Sequence, residues 1–162
     1  DQSLKRMQLD YVDLFYSHRY DPVTPLEETL QALVDIVRSG KALYIGISRW
    51  PLDALEYANT FLRERGVPPL IFQGRLNLLD RAVLEEGIPA YCAAEGLGFI
   101  SFSPMAQGLL TSRYLNGVPN DSRMSRHGSL TADKLTPGLL EYLNRLNDVA
   151  LERGESLVCS EN

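Results

Sequence analysis

Cysteine is scarce. Only Cys92 and Cys159 occur in 162 residues, too few for a disulfide framework and in neither CxxC nor Cys/His metal-ligand spacing. No metal centre is expected, and a reducing compartment, the cytoplasm, is. No apolar run approaches the roughly 18 residues of a membrane span, and DQSLKRMQ at the start has no signal-peptide core. Membrane insertion and secretion drop out of the reading. The chain also opens on Asp1 rather than methionine, as a piece of something longer would. Positive charge is in the minority: a net charge of -5 disfavours a broad nucleic-acid or anionic-membrane surface, yet leaves room for a local basic pocket. GxGxxG is absent as well, so the phosphate fingerprint of a doubly wound dinucleotide fold is missing.

What is present is an ordinary globular composition, 44% hydrophobic and 23% charged, enough for one domain or part of one. Leu9–Arg19, LDYVDLFYSHR, reads as a short buried strand that delivers His18 to its C-terminal end. Thr24–Ser39 reads as a helix, with Thr24 as N-cap, Glu27 three residues on, and Leu26, Leu30, Leu33, Val34 and Val37 on one stripe. Gly40 stops it. Ala42–Ser48 is a second β-prone run, Leu52–Arg65 a second helix closed by Gly66, and Leu70–Gln73 a third run ending in an amide. Arg81–Glu95 is helical but split by Gly87 and Pro89, and Phe99–Ser103 is a fourth strand. Residues 112–131 form a polar stretch too long for an idle connector and too polar to bury, a functional-loop candidate. Leu135–Arg153 closes the pattern as a helix with Leu139, Leu140, Leu143, Leu146, Val149 and Ala150 on one side.

The strand ends His18, Ser48, Gln73 and Phe102 recur at roughly 25–30 residues, the length of one strand-plus-crossover-helix unit. Such repetition implies a parallel sheet, either doubly wound or a TIM barrel. The barrel explains better why every run finishes in a polar group, because all its strand ends face one mouth. A complete barrel needs about 250 residues, so the expectation is a partial (β/α)8 barrel: one incomplete domain over residues 1–162.

The polar groups at those ends suggest chemistry. His18 can act as acid or base, or polarise a carbonyl, with an unperturbed pKa close to working pH. Ser48, Arg49 and Gln73 offer a hydroxyl, a guanidinium and an amide suited to a flat polar ligand. Phe102 offers an aromatic face. Arg113, Arg123 and Arg126, interleaved with Ser112, Ser122 and Ser125, suit a phosphate. Packing alone would equally account for Phe102, and a solvated surface for the arginines.

The motifs YVDLFYSHR, SGKALYIGIS, FQGRLNLLDR, FSPMAQGLLTSRYLNG and PNDSRM resemble, in order and spacing, the aldo-keto reductases, and among them bacterial members similar to voltage-gated potassium channel beta subunits. The resemblance covers the chain to about Leu157. It implies a (β/α)8 barrel that reduces aldehydes and ketones with NADPH, with these runs as strands four to seven. His18 matches the histidine of the family's Asp-Tyr-Lys-His set. Ser48 and Gln73 match the groups that hold the nicotinamide carboxamide. Arg49, also matched to the cofactor site, stands where many relatives have asparagine but channel-beta-like members have arginine. Phe102 matches the aromatic that stacks on the ring. Ser103, Met105, Gln107 and Leu109 resemble the loop lining the pyrophosphate. Arg113, Ser122 and Arg123 resemble positions around the adenosine phosphate.

The departures matter too. The Asp, Tyr and Lys that the resemblance implies are absent, so these residues alone are expected to be inactive. Gly74 and Leu76 replace an expected proline and tyrosine, which should loosen the exit of the third strand. The expected partners are a small carbonyl substrate and a second copy of the chain. A channel-beta-like nucleotide-binding regulator and an inactive truncated product are the rival readings.

Overall fold

The computed structural model describes residues 1–122, 124–125 and 130–158. Arg123, Arg126 and Cys159 lie outside the described residues. The chain forms two compact units, Asp1–Arg75 with Ala82–Phe102, and Leu76–Arg81 with Ser103–Asn162.

The first unit runs α1 (Gln2–Met7), β1 (Val12–Ser17), α2 (Leu26–Arg38), β2 (Ala42–Ser48), α3 (Leu52–Glu64), β3 (Pro69–Arg75), α4 (Ala82–Glu85), α5 (Ile88–Glu95) and β4 (Gly98–Phe102). Its four strands pair in parallel in the order β1-β2-β3-β4. A doubly wound sheet reverses strand order at a switch point, whereas a barrel segment adds each strand beside the last. The observed order is that of a barrel segment.

Glycines define the two faces of this sheet. A Cβ on Gly46 would come within 2.5 Å of the Tyr16 ring, and one on Gly98 within 3.3 Å of Ile71. Tyr16, Gly46, Ile71 and Gly98 therefore share one face. A Cβ on Gly74 would instead meet Val83 of α4 at 3.0 Å and the Phe99 ring at 3.1 Å, so Gly74 belongs to the opposite, helix-covered face. On that side Ile45, Ile47 and Phe72 are buried with Leu30, Leu33 and Val34 of α2 and Leu55, Ala58 and Leu62 of α3, each large side chain contributing about 1.5–3 kcal/mol. Phe72 stacks on Phe99 at 6.2 Å. The other face is open, with Tyr44 and Ile100 nearly half exposed.

Three expectations need correction here. β1 is an edge strand rather than a buried one: Phe15 is 38% exposed, because β1 has a ladder partner only in β2 among the described residues. Thr24 does not cap α2. Pro25 holds the cap position, and the Thr24 hydroxyl donates to Asp21 Oδ2 at 2.7 Å while the Val23 amide donates to Asp21 Oδ1 at 2.9 Å, a local Asx-type turn that captures the side chain first. Nor is the exit of β3 loosened, since the strand runs on through Gly74 to Arg75 in register with Ser101 and Phe102.

The second unit packs 3-10 turns at Ala106–Gly108, Ser112–Tyr114 and Ala132–Lys134 with α6 (Pro137–Glu152). Thr136 caps α6, its hydroxyl accepting from the Leu139 amide at 3.2 Å. Leu110, Tyr114, Met124, Leu130 and Leu143 form its core, with Leu139 and Leu146 against them. The stretch read as too polar to bury thus places Tyr114, Met124 and Leu130 inside. Val149 leaves the expected stripe and is half exposed.

Candidate active site and cofactor cleft

Because the strands are parallel and in register, their C-terminal ends gather on one edge of the first unit. Ser48 ends β2 beside Gln73 of β3, its Cα partner. The Ser48 side chain is buried, and its hydroxyl donates to the Gln73 carbonyl oxygen at 3.0 Å. The Arg49 amide donates to the same oxygen at 3.2 Å. That double contact fixes two neighbouring strand ends against each other and draws Arg49 into a left-handed backbone conformation, φ 57°. Non-glycine residues held there carry strain of the kind that collects at functional sites.

Arg49 then turns its guanidinium over the Phe102 ring, Cζ 5.5 Å from the centroid. Arg75, the last residue of β3, is the register partner of Phe102. Trp50, the single tryptophan of the chain, follows Arg49 and is buried against Tyr20, ring centroids 5.5 Å apart, its indole N–H unpartnered among the described residues. Tyr20 lies two residues beyond His18, so this pair ties the exit of β1 to that of β2. His18 itself is exposed and lines a cleft of about 540 Å³ along β1 and α2 with Tyr16 and Glu28. Burial pushes the Tyr16 phenol above its usual range.

In the second unit the chain leaves β4 through another strained segment. Ser103, Ala106 and Gln107 have φ of 55°, 45° and 63°. The Ser103 carbonyl accepts from the Ala106 amide at 2.9 Å and from Asn77 Nδ2 at 3.0 Å. Asn77 is itself anchored, its Oδ1 accepting from the Leu79 amide at 2.9 Å. This bend borders a cleft of about 1020 Å³ whose walls include Ser103, Met105, Gln107, Gly108, Arg113 and Asp121. Arg113 Nη2 lies 2.7 Å from Asp121 Oδ2. Ser122, next in the chain, is buried, its hydroxyl unpartnered among the described residues.

The expected site residues thus form two sets, with His18 apart from both in its cleft along β1 and α2. Ser48, Arg49, Gln73 and Phe102 come together at the strand ends, and Ser103, Met105, Gln107 and Arg113 around the cleft. Leu109 does not belong with the second set: it is buried in the core of that unit. Asn77 and Trp50 were not singled out from sequence. Asn77 had a usable signal, since Asn-x-x-Asp after a strand favours the turn in which Asn77 and Asp80 exchange backbone hydrogen bonds at 3.1 Å.

A parallel sheet in strict chain order, with polar groups and an aromatic ring at its strand ends, defines part of a (β/α)8-type barrel. The chain belongs to the aldo/keto reductase family, whose model matches residues 1–159. It is 50% identical over 161 residues to the L-glyceraldehyde 3-phosphate reductase of Escherichia coli K12, covering 97% of this chain and 46% of that protein. It is 38% identical over 160 residues to a rice protein (Oryza sativa subsp. japonica) named "Probable voltage-gated potassium channel subunit beta", covering 96% of this chain and 48% of that one. A thermostable aldo-keto reductase solved with the inhibitor epalrestat superposes with a TM-score of 0.65 at 26% identity, over 96% of this chain and 45% of that one. The chain spans about half the length of these relatives.

Proposed function

We propose that the chain is part of an NADPH-dependent reductase of small aldehydes and ketones. The observation that carries the reading is the arrangement at the strand ends: the Gln73 carbonyl is held by Ser48 and Arg49 while the Arg49 guanidinium covers one side of the Phe102 ring. This builds a rigid polar edge next to an aromatic face, which suits a flat carboxamide-bearing ring. The second unit, taken by itself, carries groups suited to phosphates. Among the described residues the buried Ser122 hydroxyl has no partner, and Arg113 stands on a wall of the cleft with a guanidinium shaped for phosphate oxygens.

In this reading Ser48, Arg49 and Gln73 hold the carboxamide end, Phe102 supports the ring, and Ser103, Met105, Gln107, Arg113 and Ser122 serve the phosphates. The cofactor supplies a hydride. His18 donates a hydrogen bond to the substrate carbonyl oxygen, orienting it and drawing electron density from its carbon. The proton that completes the alcohol comes from a residue outside these 162. The fixed contacts on Gln73 keep the polar edge from rearranging as charge develops, the preorganisation on which electrostatic catalysis depends.

The test is NADPH oxidation with glyceraldehyde by the full-length protein that carries this sequence, beside its His18→Ala and Gln73→Ala variants. His18→Ala should lower kcat by about 100-fold or more, and Gln73→Ala should weaken NADPH binding read by Trp50 fluorescence. Equal rates for the parent and His18→Ala would remove His18 from the mechanism. The rice relative favours a second reading, a nucleotide-binding regulatory subunit. NADPH binding without turnover of any aldehyde would support it instead.

A further inference from the structure

The open face of the sheet ends in two arginines close to one aromatic ring. Arg49 extends over Phe102 from β2, Cζ 5.5 Å from the centroid. Arg75 stands on β3 as the register partner of Phe102. Alternation along β3 fixes its side: Gly74 faces Val83 and Phe99 on the helix-covered face, so Gln73 and Arg75 face the open one. Both arginines are exposed, and Phe102 is half-buried beside them.

We infer that Arg75, acting with Arg49, binds an anionic group, a phosphate or carboxylate, on the carbonyl substrate. The inference rests on the reductase reading and narrows its substrate class. An uncharged aldehyde has no group to match two guanidinium ions at the strand ends. A tetrahedral phosphate or planar carboxylate does, because each guanidinium can present two parallel N–H donors to a pair of anionic oxygens. A guanidinium stacked over an aromatic ring keeps the N–H groups on its rim directed sideways, away from the ring. Arg75 also makes a contact within the protein. With five donors it can hold that contact and still address a ligand. In a chain of net charge -5, a local pair of fixed positive charges also favours the approach of an anion.

The experiment compares glyceraldehyde 3-phosphate, glyoxylate and glyceraldehyde as substrates of the full-length protein and of its Arg75→Ala, Arg75→Met and Arg75→Lys variants. Loss of charge-assisted contacts should cut kcat/KM for the anionic substrate by roughly 10- to 100-fold, mostly through KM. Glyceraldehyde should change by no more than about threefold; its rate doubles as the check that each variant folds. Arg75→Lys should recover part of the loss, since it restores charge without the fork. A loss confined to glyceraldehyde 3-phosphate assigns a phosphate, and one confined to glyoxylate a carboxylate. Equal losses on all three substrates, or none, would overturn the inference. Calorimetric titration of glycerol 3-phosphate or of glycolate, with NADP present, reads the same contact without turnover. If the parent reduces none of the aldehydes, the reductase reading fails by itself. The anion site then stands if binding of glycerol 3-phosphate or of glycolate drops in Arg75→Ala, and falls if the parent binds neither.

Discussion

Asp121 occupies the guanidinium of Arg113: its Oδ2 lies 2.7 Å from Nη2, and its backbone oxygen accepts from the same nitrogen at 3.3 Å. A phosphate approaching Arg113 must therefore displace or share with a carboxylate. Both side chains are well exposed, so the pair contributes little to stability. Its effect falls on binding. Asp121→Asn should tighten NADPH binding by roughly two- to fivefold at low salt, read by quenching of Trp50, with the gain shrinking as salt screens the pair. Weaker binding in Asp121→Asn would show that the carboxylate helps the dinucleotide.

Tyr16 and Gly46 make a second, more rigid pair. Gly46→Ala puts a Cβ where the Tyr16 ring now lies, 2.5 Å from Cε1. The ring must move, at a cost of about 1–3 kcal/mol. The penalty should largely vanish in a Tyr16→Ala background, so a double-mutant cycle followed by urea denaturation measures the contact directly. Additive effects would mean that Tyr16 yields without cost.

Asn59 is a buried polar hub between α3 and α5. Its Nδ2 donates to Tyr91 Oη and Glu95 Oε2, each at 3.0 Å, while its Oδ1 accepts from Arg63 Nε at 2.8 Å. Asn59→Ala removes three hydrogen bonds made by a buried side chain and should cost about 1–3 kcal/mol. Asn59→Leu should cost no less, because filling the volume restores none of the three bonds. Thermal melts of the two variants decide it.

Glu27 and Tyr57 join α2 to α3 at the surface, Tyr57 Oη donating to Glu27 Oε1 at 2.8 Å. The bond holds the Glu27 carboxyl below its ordinary 4.5 and raises the Tyr57 phenol above 10.0. A depressed carboxyl stabilises the fold above its unfolded pKa and loses that contribution as pH falls through the folded value. A raised phenol stabilises the fold below its unfolded pKa and loses it as pH rises through the folded value. The advantage of the parent over Tyr57→Phe should therefore be flat near neutrality and shrink in acid below about 4.5 and in alkali above about 10. Denaturation midpoints across that range test the sign. A difference that grew in acid would contradict the assignment.

Edge strand β1 and the open apolar face bearing Tyr44 and Ile100 predict that the 162-residue chain self-associates. Sedimentation should find dimers or larger species at micromolar concentration. A cooperatively melting monomer would refute this.

Much of the scaffold was legible because it obeys local rules. The stripe Leu30, Leu33 and Val34 repeats at helical spacing, and Gly40, at φ 72°, stands where α2 gives way to β2. Gly87 and Pro89 did split the helical stretch into α4 and α5. The polar loop was misread because Tyr114, Met124 and Leu130 are few and unevenly spaced, so no periodicity announces that they meet Leu143. At the site, residue types could be read but not their relations. Ser48 and Gln73 are 25 residues apart, and only the register of β2 against β3 makes one the hydrogen-bond partner of the other. Thr24 failed as a cap because Asp21, three residues earlier, competes for its hydroxyl.

Strand order also governs how the sheet can assemble. β2, β3 and β4 each pair with the strand made just before, so among the described residues every ladder closes a loop of modest length. Loop-closure entropy is lost in small instalments rather than at once. As the chain emerges from the ribosome, β1 and β2 can zip together before β3 has been synthesised, and each completed ladder becomes the template for the next.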